Sequence, residues 1–228
     1  MIWVAEIGSA HGGDRSLAFE LIRQAKMAGA TIAKFQLGWT PSAQRMYAGN
    51  VNNVRYIDHW AKDLKEWCDH FDIEFMASIW SEEGLQVARD VGMKRYKIAH
   101  QMGSNSLLEE IKRDDKTIFC SANPVCRNKN MKMIYCSSEY PAYSFDLPES
   151  EGWDGEVTSS FPSDYYGYSS HMHGIADALI AVSRGAKYIE KHVTLNKADK
   201  TIRDHSFALD FSEFKQMVEI GNEIARLV

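Results

Sequence analysis

The feature that most constrains the fold of this sequence is an alternation of short apolar runs with amphipathic stretches along 228 residues. Eight runs have the length and composition of strands, over residues 2–7, 31–37, 73–77, 95–99, 117–120, 131–136, 165–169 and 186–190. Helical periodicity between the runs predicts a helix capped at Asp14 or Ser16 and ending near residue 27, and further helices over 56–71, 82–91, 106–112, 175–183 and 212–227. Strands that alternate with helices pair in parallel through right-handed crossovers. Eight such units predict an α/β fold of the TIM (β/α)8 barrel type, and an open doubly wound sheet is the alternative.

Two connections are poor candidates for helical crossovers. Residues 121–130 are fewer than the roughly dozen that a parallel crossover needs. Residues 140–164 are rich in Pro, Ser and Gly and show no helical period. The fifth and sixth helices of the barrel are therefore predicted to be reduced or replaced by loops. Since no tandem repeat or linker divides the chain, residues 1–228 are predicted to form a single barrel domain.

Composition excludes several classes of function. The net charge of −5 argues against a broad basic surface for nucleic acid. No apolar run approaches the ~20 residues of a membrane helix, and Glu6 interrupts the short apolar start, so we expect neither a membrane span nor a signal peptide. The four cysteines form no CxxC pair. They are predicted to be reduced thiols of a cytoplasmic protein.

Reactive side chains concentrate where the predicted strands end, and in a β/α barrel that end carries the function. Six of the eight histidines lie there, all but His59 and His70. The complete set of polar residues at these places is Glu6, His11, Lys34, Gln36, Ser78, Lys97, His100, Ser121, Ser138, Glu139, Tyr140, His171, His173, Glu190, Lys191, His192, Asp204 and His205.

Two lysines, Lys34 and Lys97, lie inside apolar strands. A lysine that faces the interior of a barrel is costly unless it meets an anion or a carboxylate. Both are therefore candidates for a phosphate or carboxylate cradle. The alternatives are that each side chain extends outward to solvent, or that it pairs with Glu6 or Glu190.

His171 and His192 end neighbouring predicted strands, so their imidazoles could converge on one divalent ion. Two histidines would leave open positions for water and substrate oxygen, as catalytic metal sites do. The alternative is a pair of hydrogen-bonded histidines without metal. His173 fits a loop position as well as a ligand position, and Glu190 could form a simple ion pair with Lys191 at the barrel rim.

Seven segments occur in an order that resembles the sialic acid synthase family, including the legionaminic and pseudaminic acid synthases: VAEIGSAHGGD, AGATIAKFQ, YKIAH, SSEYPA, GYSSHMHGI, GAKYIEKHVTL and DHSFALD. The resemblance implies a TIM barrel that condenses phosphoenolpyruvate with an N-acyl amino sugar aldehyde, releasing phosphate and forming a nonulosonic acid. It also implies a divalent metal, expected to be Mn²⁺ with Mg²⁺ as the alternative. The other hypotheses are a metal-dependent lyase or aldolase and a non-catalytic sugar-binding barrel.

The resemblance assigns roles at matching positions. The metal ligands would be His171 and His192. Catalytic candidates are Glu6, Gln36, Tyr140 and Asp204, and the substrate-binding candidates are Lys34, Ser78, Lys97, Ser121, Ser138 and Arg203. Departures from the family pattern are Ala10 in place of Asn, His100-Gln101-Met102 in place of Ser-Gly-Glu, Ser170 in place of Asp, and Ile202-Arg203 in place of Gly-Pro.

Full-length members of that family continue into a small antifreeze-like domain that covers the partner's site and supplies an arginine. This sequence ends after its last predicted barrel helix, so we expect no such domain in it. Loops at 38–53, 142–163 and 193–210 are then expected to cover the site, with Arg203 replacing the missing cation. Slow turnover of N-acetylmannosamine follows from that expectation, and a homodimer or a separate lid-domain chain is the expected protein partner.

Overall fold

Eight parallel strands close into a barrel in a computed structural model, which describes residues 1–39, 57–100, 105–121, 129–143, 150–151, 157–158, 161–162 and 164–228. The barrel strands are β1 (Ile2–Glu6), β2 (Ile32–Leu37), β3 (Glu74–Ile79), β4 (Arg95–Ile98), β5 (Thr117–Cys120), β6 (Met131–Ala142), β9 (Gly167–Met172) and β10 (Tyr188–His192). They are neighbours in chain order, and β10 pairs with β1 to close the barrel. Two short strands, β7 (Ser150–Glu151) and β8 (Val157–Thr158), form a separate antiparallel pair. The TIM-barrel prediction is confirmed.

Six α-helices are present in the described part of the chain: α1 (Arg15–Met27), α2 (Ala61–His70), α3 (Glu82–Asp90), α4 (Asn105–Lys112), α5 (Ala176–Ser183) and α6 (Phe211–Ile224). Single 3₁₀ turns lie at Asp58–Trp60 and Arg203–Ser206. Within the described residues no helix lies between β5 and β6 or between β6 and β9. The prediction of a reduced fifth and sixth helix is therefore confirmed.

Side-chain caps begin α1 and α6, and the cap of α1 is one that the sequence predicts. The carboxylate of Asp14 accepts a hydrogen bond from the backbone N–H of Leu17 at 3.1 Å, which settles Asp14 as the cap of α1. Asp210 and Glu213 form a reciprocal capping box at the start of α6. Such caps satisfy backbone N–H groups that the first helical turn leaves without partners.

The barrel interior is filled by one apolar layer, to which six strands each contribute a buried side chain: Val4, Ile32, Met76, Phe119, Ile134 and Tyr188. A second, larger core lies between the strands and the surrounding helices. Because successive side chains of a strand point to opposite faces, residues two positions beyond the apolar layer also face the interior. That periodicity determines which polar residues line the open end of the barrel.

Several strand boundaries differ from the sequence predictions, and three of them affect the polar end of the barrel. The last two barrel strands, β9 and β10, extend to Met172 and His192, two or three residues beyond the predicted ends, and β6 continues to Ala142. The polar residues at these ends have low strand propensity, but ladder pairing with neighbouring strands holds them extended. His171 therefore lies within β9 rather than after it.

No helix built from the residues that the structure describes is long and apolar enough to cross a membrane. Among the described cysteines, Cys68 and Cys136 are free thiols, as the sequence predicts.

Candidate active site

A polar layer lies directly above the apolar layer of the barrel. Each of its members stands two residues after a member of the apolar layer: Glu6, Lys34, Ser78, Ser121, Cys136 and Glu190. Lys97 joins them from β4, where it pairs in register with Ser78 and Phe119. Both lysines are 2% exposed, so neither extends outward to solvent.

Lys34 is held between two buried carboxylates. Its Nζ lies 2.5 Å from Glu6 Oε2 and 3.4 Å from Glu190 Oε1. It also donates a hydrogen bond to Ser78 Oγ at 3.1 Å. Lys34 therefore pairs with Glu6 and Glu190, as one of the two alternatives from the sequence expected, and its ammonium group faces the barrel interior.

Lys97 has weaker contact with carboxylate. Its Nζ donates to Ser121 Oγ at 2.8 Å and to the carbonyl of Ile98 at 3.3 Å, and lies 3.9 Å from Glu190 Oε1. Glu190 therefore lies between two ammonium groups, and Ser78 and Ser121 each contribute a hydroxyl beside one of them. Two cations with adjacent hydroxyls are the donor set that phosphate and carboxylate groups require.

The two buried glutamates differ in their protonation. Burial, opposed by Lys34 and reinforced by the neighbouring Glu190, raises the pKa of Glu6 to about 7. Burial also acts on Glu190, but Lys34 and Lys97 together lower its pKa to about 2. Glu6 can therefore hold or release a proton near neutral pH, whereas Glu190 stays ionised. Gln36 Nε2 lies 3.5 Å from Glu6 Oε1 and completes this side of the site.

His171 and His192 converge at the open end of the barrel, with ring centroids 5.4 Å apart. Burial, together with the neighbouring His192, lowers the pKa of His171 to about 3. Burial lowers the pKa of His192 to about 4, although Asp204 opposes the shift. Both rings are neutral at pH 7, which is the form that binds metals. The buried Nδ1 of His171 has no hydrogen-bond partner among the described residues.

Tyr140 connects the histidines to the loop after β10. Its ring stacks on His171 with centroids 3.7 Å apart, and the guanidinium carbon of Arg203 lies 3.7 Å above the Tyr140 ring. Arg203 Nε donates to Asp204 Oδ1 at 3.0 Å. The other carboxylate oxygen, Asp204 Oδ2, lies 3.9 Å from His192 Nδ1. Five predicted site residues thus form a connected arc around the opening.

An irregularity in β6 brings Tyr140 to this position. Ser137 pairs with Ser170, and the next pair is Ala142 with Met172. Residues 138–141 therefore stand opposite the single residue His171. A bulge of this kind redirects side chains at the rim of a barrel, and here it places the Tyr140 ring on the imidazole.

Four of the six clustered histidines stand apart from His171 and His192, and one of the four, His100, touches the site through its Nδ1, which lies 3.2 Å from the backbone carbonyl oxygen of Ser121. His11 is buried against Phe35 and Trp60, and its Nδ1 accepts a hydrogen bond from Gly13. The imidazole of His205 contacts Thr194 Oγ1 at 2.7 Å, within the last loop. His100 and His173 are exposed. The histidine cluster inferred from sequence therefore reduces to His171 and His192.

The predicted ion pair between Glu190 and Lys191 is wrong. The two residues alternate along β10, so Glu190 faces the barrel interior, where Tyr188 donates a hydrogen bond to it. Lys191 faces outward and pairs with Asp177 of α5 at 3.2 Å. Glu190 is the central carboxylate of the site, and the signal that identifies it is its position two residues after the inward Tyr188.

Phe207 is a residue of the site that sequence reasoning missed. It is buried, and its ring packs edge-on against His171 at 5.3 Å, His192 at 5.2 Å and Tyr140 at 5.9 Å. This contact supports the three rings from the side of the loop after β10. Nothing in the local sequence distinguishes Phe207 from an ordinary core residue.

Of the loops expected to cover the site, the one at 193–210 is described, and through Arg203 and Phe207 it lies against the site. Most of 38–53 and 142–163 falls outside the described residues, as do Gln101, Met102 and the side chain of Ser138. The single-domain boundary, the absence of an antifreeze-like domain and the expected protein partner stay predictions.

Similarity to known proteins agrees with this geometry. The human N-acetylneuraminate-9-phosphate synthase is 27% identical over 94% of this chain and 67% of its own length. The N,N'-diacetyllegionaminic acid synthase of Campylobacter jejuni is 28% identical over 94% of this chain and 73% of its own. The crystal structure of an N-acetylneuraminic acid synthetase from Leptospira borgpetersenii superimposes with a TM-score of 0.81 at 24% identity, over 99% of this chain and 84% of that one. The sequence model of the NeuB family matches residues 21–228, and the chain therefore belongs to the NeuB family.

Proposed function

We propose that this protein condenses phosphoenolpyruvate with an N-acyl amino sugar aldehyde, releasing phosphate and forming a nonulosonic acid. The observation that carries the proposal is the buried polar layer, in which Lys34 and Lys97 lie beside Ser78 and Ser121 below two neutral histidines. Relatives at about 28% identity are named as synthases of sialic and legionaminic acids. The resemblance inferred from sequence points to the same reaction.

The two lysines would bind the phosphate and carboxylate of phosphoenolpyruvate, and the serine hydroxyls would donate to the same oxygens. In the reaction the methylene carbon of phosphoenolpyruvate bonds to the aldehyde carbon, the aldehyde C=O π bond opens, and its oxygen takes a proton. Water then adds to the carbon that bears the phosphate and gives up a proton, and the C–O bond to phosphate breaks to leave the keto acid. Lys34 and Lys97 neutralise the leaving phosphate. Glu6, whose pKa is about 7, can hold a proton at Oε1 or Oε2 during these steps.

His171 and His192 are the residues that would hold a divalent ion, for which we propose Mn²⁺. They fit it because both imidazoles are neutral and the buried His171 Nδ1 lacks a hydrogen-bond partner within the described chain. No group of three or more His, Cys, Asp or Glu donors in the described residues is arranged to hold an ion, so water or substrate oxygen would complete the coordination. When bound, such an ion polarises a carbonyl oxygen as a Lewis acid.

Arg203 is proposed to face the sugar. One of its N–H groups binds Asp204, and its plane is fixed against Tyr140, while half of its side chain is exposed at the opening. Asp204 and Tyr140 are thereby oriented beside the histidines. Free thiols at Cys68 and Cys136 support a cytoplasmic location, which is part of the proposal.

The test is a continuous phosphate-release assay with phosphoenolpyruvate, Mn²⁺ and a panel of N-acyl hexosamines, both free and phosphorylated. The expected result is phosphate release that requires a sugar and matches sugar consumption one to one. A Lys62→Met variant serves as a matched control, since Lys62 is an exposed lysine of α2. Phosphate release that is independent of sugar would indicate a lyase or phosphatase instead. Binding of sugar with no turnover of any pair would indicate a binding protein.

A further inference from the structure

The outer surfaces of the two histidine-bearing strands carry a buried polar cluster that takes no part in the proposed reaction. It consists of Lys191 on β10, Ser170 and Tyr168 on β9, and Asp177 in the first turn of α5. Each is at most 2% exposed. Lys191 and Ser170 are register partners in the sheet. The cluster lies behind the candidate metal ligands, on the opposite face of the same two strands.

Lys191 holds the chain on both sides of His171. Its Nζ donates to Ser170 Oγ at 3.1 Å and to the carbonyl of Met172 at 2.8 Å. Ser170 precedes His171 and Met172 follows it. Because Lys191 itself precedes His192, one ammonium group connects the strand positions of both histidines.

Asp177 anchors this connection to α5. Both carboxylate oxygens lie 3.2 Å from Lys191 Nζ. The same carboxylate accepts hydrogen bonds from Ser170 Oγ and from the hydroxyl of Tyr168, the latter at 3.2 Å. The ammonium group of Lys191 thus has a hydroxyl, a carbonyl and a carboxylate as acceptors for its three protons. Its positive charge is balanced by the negative charge of Asp177.

A buried ion pair contributes little net stability compared with apolar residues of the same size. Its geometry, however, constrains the atoms to which it bonds. Here those atoms include a side chain and a carbonyl that flank a candidate ligand. Groups that orient metal ligands from behind commonly affect metal affinity by about 10–100-fold.

We propose that Lys191, together with Asp177 and Ser170, is a positioning group that sets the orientation of His171 and His192 for binding one divalent ion. The inference rests on the proposed function in one respect, the assignment of these histidines as ligands. Lys191 contacts neither substrate nor ion in this role and acts only through the two strands.

The test compares Lys191→Met with Asp114→Asn. Met approximates the length of the lysine stem without the charge, and the control removes one charge from another strand-to-helix cluster, in which Asp114 binds Arg89 and Tyr96. The double variant Lys191→Met with Asp177→Asn avoids an unpaired buried carboxylate if the single variant folds poorly. Mn²⁺ affinity is measured by the electron paramagnetic resonance signal of free Mn²⁺. Circular dichroism melts record the stability of each variant.

A second readout does not depend on metal. Imidazole nitrogens of ¹⁵N-histidine-labelled, metal-free protein are observed by NMR, with His171→Gln and His192→Gln used for assignment. We expect the Lys191→Met protein to bind Mn²⁺ about 10–100-fold more weakly and to shift the signals of His171. The Asp114→Asn protein should match the wild type in both measurements even where its melting temperature falls.

Unchanged Mn²⁺ affinity in both Lys191 variants would overturn the inference. If the wild-type protein fails to bind Mn²⁺, the proposed metal site is refuted, and the NMR comparison then decides the positioning role alone. In that case, His171 and His192 signals that are the same in wild type and Lys191→Met overturn it, and displaced signals uphold it.

Discussion

Replacing Lys97 by Met should weaken phosphoenolpyruvate binding while leaving most of the stability of the fold. Lys97 Nζ donates a hydrogen bond to Ser121 Oγ at 2.8 Å and lies 3.9 Å from Glu190. After the substitution, Glu190 still has Lys34 as a partner at 3.4 Å. No buried carboxylate is left without a cation. The expected loss in the free energy of unfolding is therefore that of the two buried hydrogen bonds to Ser121 and Ile98, about 1–3 kcal/mol in total.

The Lys97→Met protein should lose a larger fraction of its phosphoenolpyruvate affinity than of its stability. A hydrogen bond to a charged group contributes about 1.5–3 kcal/mol. At 1.4 kcal/mol for each factor of ten, the Kd for phosphoenolpyruvate should rise about 10–150-fold. Replacing Lys34 by Met should weaken binding similarly but cost more stability, because it removes the partner 2.5 Å from Glu6. Breaking a buried pair in this way costs about 3–5 kcal/mol.

Isothermal titration calorimetry measures the binding of phosphoenolpyruvate to both variants, and urea unfolding at pH 7 measures their stability. Lys62→Met, on the surface of α2, should match the wild type in both. An unchanged affinity in the Lys97 variant would show that this lysine is structural. Equal losses of stability in the Lys34 and Lys97 variants would contradict the inference that Lys34, and not Lys97, is the main cationic partner of the buried glutamates.

Three further predictions concern stability and the sugar. Hydrogen bonds from Arg89 lower the pKa of Asp114. The ionised carboxylate therefore stabilises the fold above its ordinary pKa, and this contribution is lost as the pH falls through the lowered pKa. Urea unfolding should show the Asp114→Asn protein to be about 1.5–3 kcal/mol less stable than the wild type at pH 7, and the difference should disappear at strongly acidic pH. A Cβ at position 221 would overlap the Trp3 ring. Gly221→Ala should therefore lower the free energy of unfolding by about 1–3 kcal/mol and the Tm by about 2–4 °C per kcal/mol. An unchanged Tm in calorimetry would contradict that packing. Arg203→Met should raise the KM for the sugar more than that for phosphoenolpyruvate in steady-state assays, whereas equal KM values in variant and wild type would make Arg203 a solvated loop residue.

Local sequence patterns were sufficient for the strands and helices and for most of the inward-facing residues. Eight apolar runs separated by amphipathic stretches predict eight β/α units, because strand and helix periods depend only on neighbouring residues. The pairing of β10 with β1 decides between the closed barrel and the open sheet. Lys34 and Lys97 could be identified because a lysine within an apolar strand requires an anionic partner, and the structure supplies Glu6 and Glu190.

Tertiary structure alone decided which polar neighbours meet. Glu190 and Lys191 are adjacent in sequence, yet one lies at the centre of the site and the other behind it, because the pairing of β10 with β9 and β1 sets which face each residue occupies. Tyr140 reaches His171 through the bulge in β6, and Phe207 reaches both histidines from a loop after the last strand. Register and loop packing depend on contacts between residues far apart in the chain, and a one-residue shift in the register of β10 would turn Glu190 and Lys191 to the opposite faces.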